Sequence, residues 1–308
     1  MSSTHCPLVG RDSARGRLGR VEGKGKGGLV KESRGCLAPR VPESRNSLAI
    51  VLRWRAYGES DKIATFLTED FGKLTGIAKG AKNSRRRFPN SLEPLARVRV
   101  HFRQKPTANL AFLESCELRS STAAFTDPTR FAYASYVVEL TDQLTLEDDP
   151  VPGLYALLDE ALAELERGPA TSAFLRGFEL QLLTRAGFEP QLDRCTRCDR
   201  VWTGDARAHL SFSHGTMTCT ACRGFEESGM SVDPVLLARM AELKTLSLAA
   251  CRERAHDGLA RDAGQVTGRL LALHLARPLR SVRLIEQLAP GSVGRQTDSI
   301  ETPDESVS

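Results

Sequence analysis

Between Leu48 and Leu118 apolar and polar residues alternate in short runs of period two, and beyond Asp127 the period lengthens to that of a helix. In the first stretch Ile50, Leu52 and Trp54 alternate with Val51, Arg53 and Arg55, the pattern of a half-buried strand with the first three on its apolar face. A second strand fits Ile63 to Thr68, and Glu69-Asp70-Phe71-Gly72 supplies the turn into a third over Lys73 to Ala78. Val98, Val100 and Phe102 alternate with Arg97, Arg99, His101 and Arg103 in a fourth. Pro106 to Asn109 turns the chain into a fifth over Leu110 to Leu118. Five short, closely linked strands predict a small barrel of the OB type over residues 47–120, although an SH3-like barrel would produce much the same pattern.

Helical spacing governs residues 121–289. Asp127-Pro128 offers a capping side chain followed by a proline in the first turn, and Phe131, Ala134, Val138 and Leu144 then fall on one face. Leu154, Leu157, Leu158, Ala161, Leu162 and Leu165 form a second amphipathic helix, stopped by Gly168-Pro169. Thr171 or Ser172 can cap a third, with Phe174, Leu175, Phe178, Leu182 and Leu183 turned to the core and Gly187 at its end. Asp233-Pro234 starts a fourth, carrying Val235, Leu237, Met240, Leu243 and Leu246, and a fifth runs from about Asp262 to Ala276. The whole is an α+β multidomain chain: an OB-type barrel, then an all-α bundle whose sequence is split by an insertion.

Composition changes this picture mainly at the ends. Residues 1–46, with runs such as RGRLGRVEGKGKGG, cannot bury enough apolar surface to offset chain entropy. They are expected to be a disordered basic extension, or the product of an upstream start codon. Residues 290–308 are expected to be a second disordered tail. No apolar run is long enough for a membrane span or a secretory signal, so the expected location is the cytoplasm, where cysteines stay reduced. The net charge of +5 conceals an asymmetry. Residues 47–120 hold 14 Lys/Arg against 7 Asp/Glu, whereas 121–308 hold 19 against 27. A basic barrel joined to an acidic remainder points to one module that faces a polyanion and one that does not.

The sharpest chemical signal lies in the insertion, at about 193–224. Cys195-Thr-Arg-Cys198 and Cys219-Thr-Ala-Cys222 are two C-x2-C pairs separated by 20 residues, the spacing of a structural zinc site. Each pair can set two sulfurs on one tetrahedral ion, and two pairs close a four-thiolate shell with no position left for water or substrate. One structural Zn2+ per chain is therefore expected on Cys195, Cys198, Cys219 and Cys222. A redox role for the pairs would want a thioredoxin-like context that is missing here. His209 and His214 lie between the pairs and can in principle replace a cysteine. Cys116 reads as a small core residue.

Lys79, Lys82, Arg85, Arg86 and Arg87 place five cations in nine residues between two barrel strands. In OB barrels such loops border the oligonucleotide groove, and a flexible cationic loop there would give sequence-independent, salt-sensitive phosphate binding. Arg53, Arg55, Arg97 and Arg99 recur at alternate positions and can extend the positive surface. Among aromatic residues, Trp54 and Phe102 read as core and Phe88, beside the arginine run, as the best stacking platform for a base. No nucleotide-binding, metalloprotease or nucleophile-elbow motif is present, so no enzyme is expected. A two-metal nuclease site with dispersed carboxylates, or a generic RNA-binding module, are the competing readings.

The order of these parts resembles the bacterial RecO family. Its carriers are Ala56-Tyr57-Gly58-Glu59-Ser60-Asp61-Lys62 after the first strand, Gly72-Lys73-Leu74 leading to Ala78-Lys79-Gly80-Ala81, and Leu182-Leu183 with Gly187-Phe188-Glu189-Pro190-Gln191-Leu192 ahead of Cys195. The similarity runs from about 47 to 289. It implies a recombination mediator in DNA repair that binds single- and double-stranded DNA and anneals complementary strands. It further implies RecR as a partner, the C-terminal tail of the single-strand-binding protein SSB as a docking peptide, and RecA as the recombinase helped onto SSB-coated DNA. For the SSB tail, a hydrophobic cleft flanked by Arg130, Arg176 and Arg185 is expected in the helical half.

Overall fold

The computed structural model describes residues 43–105, 108, 110–202, 207–224, 228–254 and 258–288, with side chains of 258–261 excepted. Most of the two tails expected to be disordered, and His256, Cys6 and Cys36, lie outside these residues. Strand β1 (Arg45–Tyr57) begins inside the segment assigned to the basic extension, because Arg45 to Ile50 pair with Phe102 to Arg97 across the barrel.

The remaining barrel strands are β2 (Asp61–Thr68), β3 (Gly72–Ala78), β4 (Arg97–Arg103) and β5 (Ala111–Ser120). They close in the order β1-β2-β3-β5-β4, with β4 back against β1. All pairs are antiparallel except β3 with β5, where Gly76 faces Ala111. That parallel pair is the Greek-key closure of an OB barrel, and it excludes a simple meander. Gly76 permits the approach, since a Cβ there would stand 2.5 Å from the Leu113 side chain.

Period-two alternation placed Ile50, Leu52 and Trp54 on one buried face, and the structure corrects this. Ala49 and Val51 point into the barrel, Ile50 and Leu52 point out of it, and all four are buried. The outer face is covered by helices, so alternation marks two apolar faces rather than one. A bulge between Val51 and Arg53 then shifts the register, and Trp54 emerges exposed. Phe102, by contrast, is fully buried as expected.

Seven helices follow: α1 (Pro128–Leu144), α2 (Leu154–Arg167), α3 (Ser172–Arg185), α4 (Pro234–Thr245), α5 (Leu248–Glu253), α6 (Gly258–Ala272) and α7 (Arg280–Leu288). Asp127 caps α1 by accepting from the N–H groups of Thr129 and Arg130, Thr171 caps α3, and Asp233 caps α4. Helix α3 is central, packed by α2, α4, α5 and α6, so Phe174, Leu175, Phe178 and Leu182 are buried on all sides. Phe131 and Val235, read as core positions, sit at helix starts and are exposed. Helix α6 begins earlier than the sequence pattern suggested, and the short helices α5 and α7 are not predicted by it.

Barrel and helices share one core. Ile50, Leu52, Leu67 and Leu95 from the barrel join the cluster built on α1 to α7. Barrel cations stitch the seam: Lys73 and Arg53 to the end of α1, and Arg97 to Glu166 and Asp159 on α2. The boundary at 120/121 thus marks a change of secondary structure within a continuous hydrophobic body. Between α3 and α4 the insertion forms a three-stranded sheet of β6 (Ala208–Ser211), β7 (Met217–Cys219) and β8 (Gly229–Val232), ordered β7-β6-β8. Its Ala208, Leu210, Met217 and Val232 lean on the helical core.

Candidate metal centre and nucleic-acid interface

Two turns bring the four cysteines together. The first folds when the Asp199 N–H bonds the Cys195 carbonyl at 2.9 Å, with Asp199 in the left-handed region. The second folds when the N–H groups of Cys222 and Arg223 bond the Cys219 carbonyl at 3.0 Å. Thr196 N–H to the Met217 carbonyl and the Arg197 guanidinium to the Cys222 carbonyl tie one turn to the other. The ligand atoms of Cys195, Cys198, Cys219 and Cys222 then all lie within 4.8 Å of one another. Cys198 and Cys219 Sγ are 3.8 Å apart, the edge of a tetrahedron whose metal–sulfur arms are about 2.3 Å.

The electrostatics favour thiolate in this nest. Burial opposes ionisation of Cys195, but N–H groups of Cys219, Cys198 and Arg197 outweigh it and bring the thiol down to about 6. Cys219 is lowered as well, whereas Cys222, hydrogen-bonded to Cys198 and Cys219 and facing the Cys195 charge, is pushed up to about 12. The four residues fit a metal ion that takes sulfur tetrahedrally. His209 is buried and His214 exposed, and neither joins the group. Cys116 is buried in the barrel, where desolvation raises its thiol to about 12, the state of an inert core cysteine.

The basic segment after β3 is pinned, where a flexible loop was expected. A single 3-10 turn covers Ala81–Asn83. Lys82 donates from Nζ to the carbonyls of Gly58 and Glu59 at 2.9 Å, which fastens the loop to the β1–β2 hairpin tip. Asp61 accepts from the Gly80 N–H, and this bond holds its carboxyl below the usual carboxylate range. Arg87 closes the other end by donating to the Lys79 carbonyl at 2.6 Å, and its own carbonyl accepts from Cys116 N–H. Lys79, Arg85 and Arg86 remain exposed and have no hydrogen bond or ion pair from their side chains among the described residues.

The other four cations divide in the same way. Arg55 is exposed and without an ion pair among the described residues. Arg99 donates to Asn46 at 3.0 Å. Arg53 meets Asp142 at 2.7 Å, and Arg97 is half-buried between Glu166 and Asp159. The charges of these last two are compensated by the helical body, which sequence alternation could not reveal. Phe88 is also corrected: it is buried in the barrel core and offers no face to a base. Trp54 and Tyr57 of β1 are exposed instead, and Lys62 lies over the Trp54 ring. Trp54 reads as core in the sequence because the bulge in β1 leaves no mark in the pattern, and no local signal singles out Lys62. In the helical half, Arg176 is buried and paired with Glu179 at 2.7 Å, which removes it from any peptide-binding surface. Arg130 and Arg185 keep part of their side chains at the surface.

Comparison with known proteins places the whole arrangement. Family models described as "Recombination protein O N terminal" and "Recombination protein O C terminal" match residues 44–122 and 126–283. Curated relatives named "DNA repair protein RecO" include one from an Anaeromyxobacter species, 33% identical over 243 residues that cover 78% of this chain and 95% of the relative. One from Pelobacter propionicus is 35% identical, with 78% and 96% covered, and one from Geobacter metallireducens is 32% identical, with 80% and 99% covered.

Proposed function

The chain belongs to the recombination protein O family, and on that premise we propose that it is a mediator of recombinational DNA repair acting by binding alone, without catalysis. In this reading the barrel holds single- and double-stranded DNA, brings complementary strands together to anneal, and helps RecA onto SSB-coated DNA, with RecR and the SSB C-terminal tail as protein partners. The observation that carries it is the pinned loop, which presents Lys79, Arg85 and Arg86 exposed, without an ion pair among the described residues, at one end of an OB barrel. Three preorganised cations on a rigid support neutralise phosphates without regard to sequence, as an annealing protein requires. For the SSB tail, Arg130 and Arg185 remain the contacts to test.

Cys195, Cys198, Cys219 and Cys222 would hold a zinc ion, which supplies a covalent cross-link to the insertion and no chemistry on DNA. Among the described residues no helix is long and apolar enough to cross a membrane, and the proposed location is the cytoplasm, at the nucleoid. The test is binding of labelled single strands and duplexes at two salt concentrations, followed by annealing of complementary oligonucleotides. Strong salt dependence with accelerated annealing is expected. Absence of binding to either form, or cleavage of the DNA with a divalent metal, would sink the proposal.

A further inference from the structure

Trp54 lies on the part of β1 beyond its pairing with β4. β1 pairs with β4 only through Arg45 to Ile50, while its pairing with β2 continues to Tyr57 and Asp61. On this stretch Trp54 faces Ala64, two residues from Lys62, β2 is backed in turn by β3, and the tryptophan is 37% exposed. The Lys62 ammonium sits 3.8 Å from the ring centroid. Glu93 holds both partners, accepting from Lys62 Nζ on one oxygen and from the indole N–H on the other, each at 3.0 Å. Lys62 and Glu93 also line an open pocket of about 320 Å³, whose rim includes Lys82, Arg85, Pro89 and Asn90.

A partly exposed indole with an amine over its face, beside a cation-rimmed pocket, matches the needs of one ligand class. We infer that Trp54 is a stacking platform for an unpaired DNA base and that Lys62 is its displaceable cover. This rests on the DNA-binding reading and adds to it the residue that distinguishes single strands from duplex. The Lys62 side chain is only 15% exposed and is tied to Glu93, so a base displaces it by gaining more from stacking on the indole than the cation–π contact supplies. The displaced ammonium stays within reach of the phosphates flanking that base, so the charge that covers the ring in the free protein serves the backbone in the complex. Duplex bases are already stacked on each other and cannot offer a face to Trp54. The duplex is left with the phosphate contacts of Lys79, Arg85 and Arg86. Glu93 opposes the exchange, because it retains Lys62 and carries a negative charge towards the incoming strand.

The test compares the full-length protein with Trp54→Ala, Trp54→Phe and Glu93→Gln for binding to an oligo-dT strand and to a duplex of equal length. Trp54→Ala should weaken single-strand binding by at least about tenfold, within the range of base–aromatic contacts, and leave duplex binding within about twofold. Trp54→Phe should restore most of the loss, and Glu93→Gln should tighten single-strand binding severalfold. Tryptophan fluorescence should be quenched by oligo-dT in the wild type and unaffected in Trp54→Phe. Equal loss for both DNA forms, or no loss for either, would overturn the inference while leaving the DNA-binding reading intact. Wild-type protein that binds neither form would remove both. Because Trp54 is exposed and outside the hydrophobic clusters, thermal unfolding of the variants should stay close to that of the wild type.

Discussion

The Lys73 ammonium leaves the barrel and meets the Asp142 carboxylate of α1 at 3.0 Å, with both side chains about nine-tenths buried. Its other protons go to the carbonyls of Asp142 and Thr145, at 2.6 and 3.0 Å, so one cation neutralises a carboxylate and caps the end of a helix. Arg53 approaches the same carboxylate from the solvent side at 2.7 Å. Removing Asp142 leaves a buried ammonium facing only carbonyls, which should cost about 3 kcal/mol. Arg53→Ala touches the exposed arm alone and should cost at most about 1 kcal/mol. Urea unfolding of Asp142→Ala and Arg53→Ala checks the pair; equal losses would show that the seam does not depend on Lys73.

The nine cations read from the sequence should separate into two groups when DNA binding is followed against salt. Replacing Lys79, Arg85 and Arg86 by alanine should reduce the slope of log K against log salt by about 2 to 3, at roughly 0.7–0.9 per phosphate contact. Arg97→Ala should leave that slope unchanged and lower stability instead, since Arg97 is committed to Glu166 and Asp159. A slope that falls with Arg97→Ala and not with the triple variant would reverse the assignment.

The helices with proline or hydroxyl caps were legible because the capping signals are local: Asp127, Thr171 and Asp233 cap the helices they precede. The cysteine nest was legible for the same reason, as two C-x2-C turns need no distant information. What escaped depends on contacts remote in sequence. The outward burial of Ile50 and Leu52 is imposed by helices some 80 residues later. The compensation of Arg53 by Asp142 is imposed in the same way. The exposure of Trp54 follows from a bulge whose extra residue leaves the alternation looking intact.

Gly72 is a second point where barrel and helices meet, and here the contact is between backbones. It adopts φ +66°, and a Cβ at this position would lie 2.3 Å from the carbonyl oxygen of Asp149 in the α1–α2 connection. Gly72→Ala therefore combines left-handed strain with a collision that no side-chain rotation relieves, and should destabilise by at least about 2 kcal/mol. Gly58→Ala is the control. It shares a positive φ of 57° but has nothing within 4 Å of the added methyl, so its loss should be about 1 kcal/mol. Similar midpoints for the two variants in thermal unfolding would show that the chain near Asp149 yields.

Metal removal should separate the insertion from the rest of the molecule. Protein purified without added zinc is expected to carry about one zinc per chain, lost when Cys195 and Cys219 are both replaced by serine. The sheet β6–β8 has few internal contacts to replace the cross-link, so residues 207–224 should become the first site of protease cleavage. The effect should also reach the helices. Ala208, Leu210, Met217 and Val232 pack into the common core, and loosening them uncovers part of it. Each kcal/mol lost corresponds to roughly 2–4 °C for a body of this size, and a fall in Tm of several degrees is expected. DNA binding by the barrel should survive, because Lys79, Arg85 and Arg86 are positioned by Lys82, Asp61 and Arg87, all in the barrel. A metal-free protein with unchanged Tm and protease resistance would mean that packing on the helices, rather than the four thiolates, holds the insertion in place.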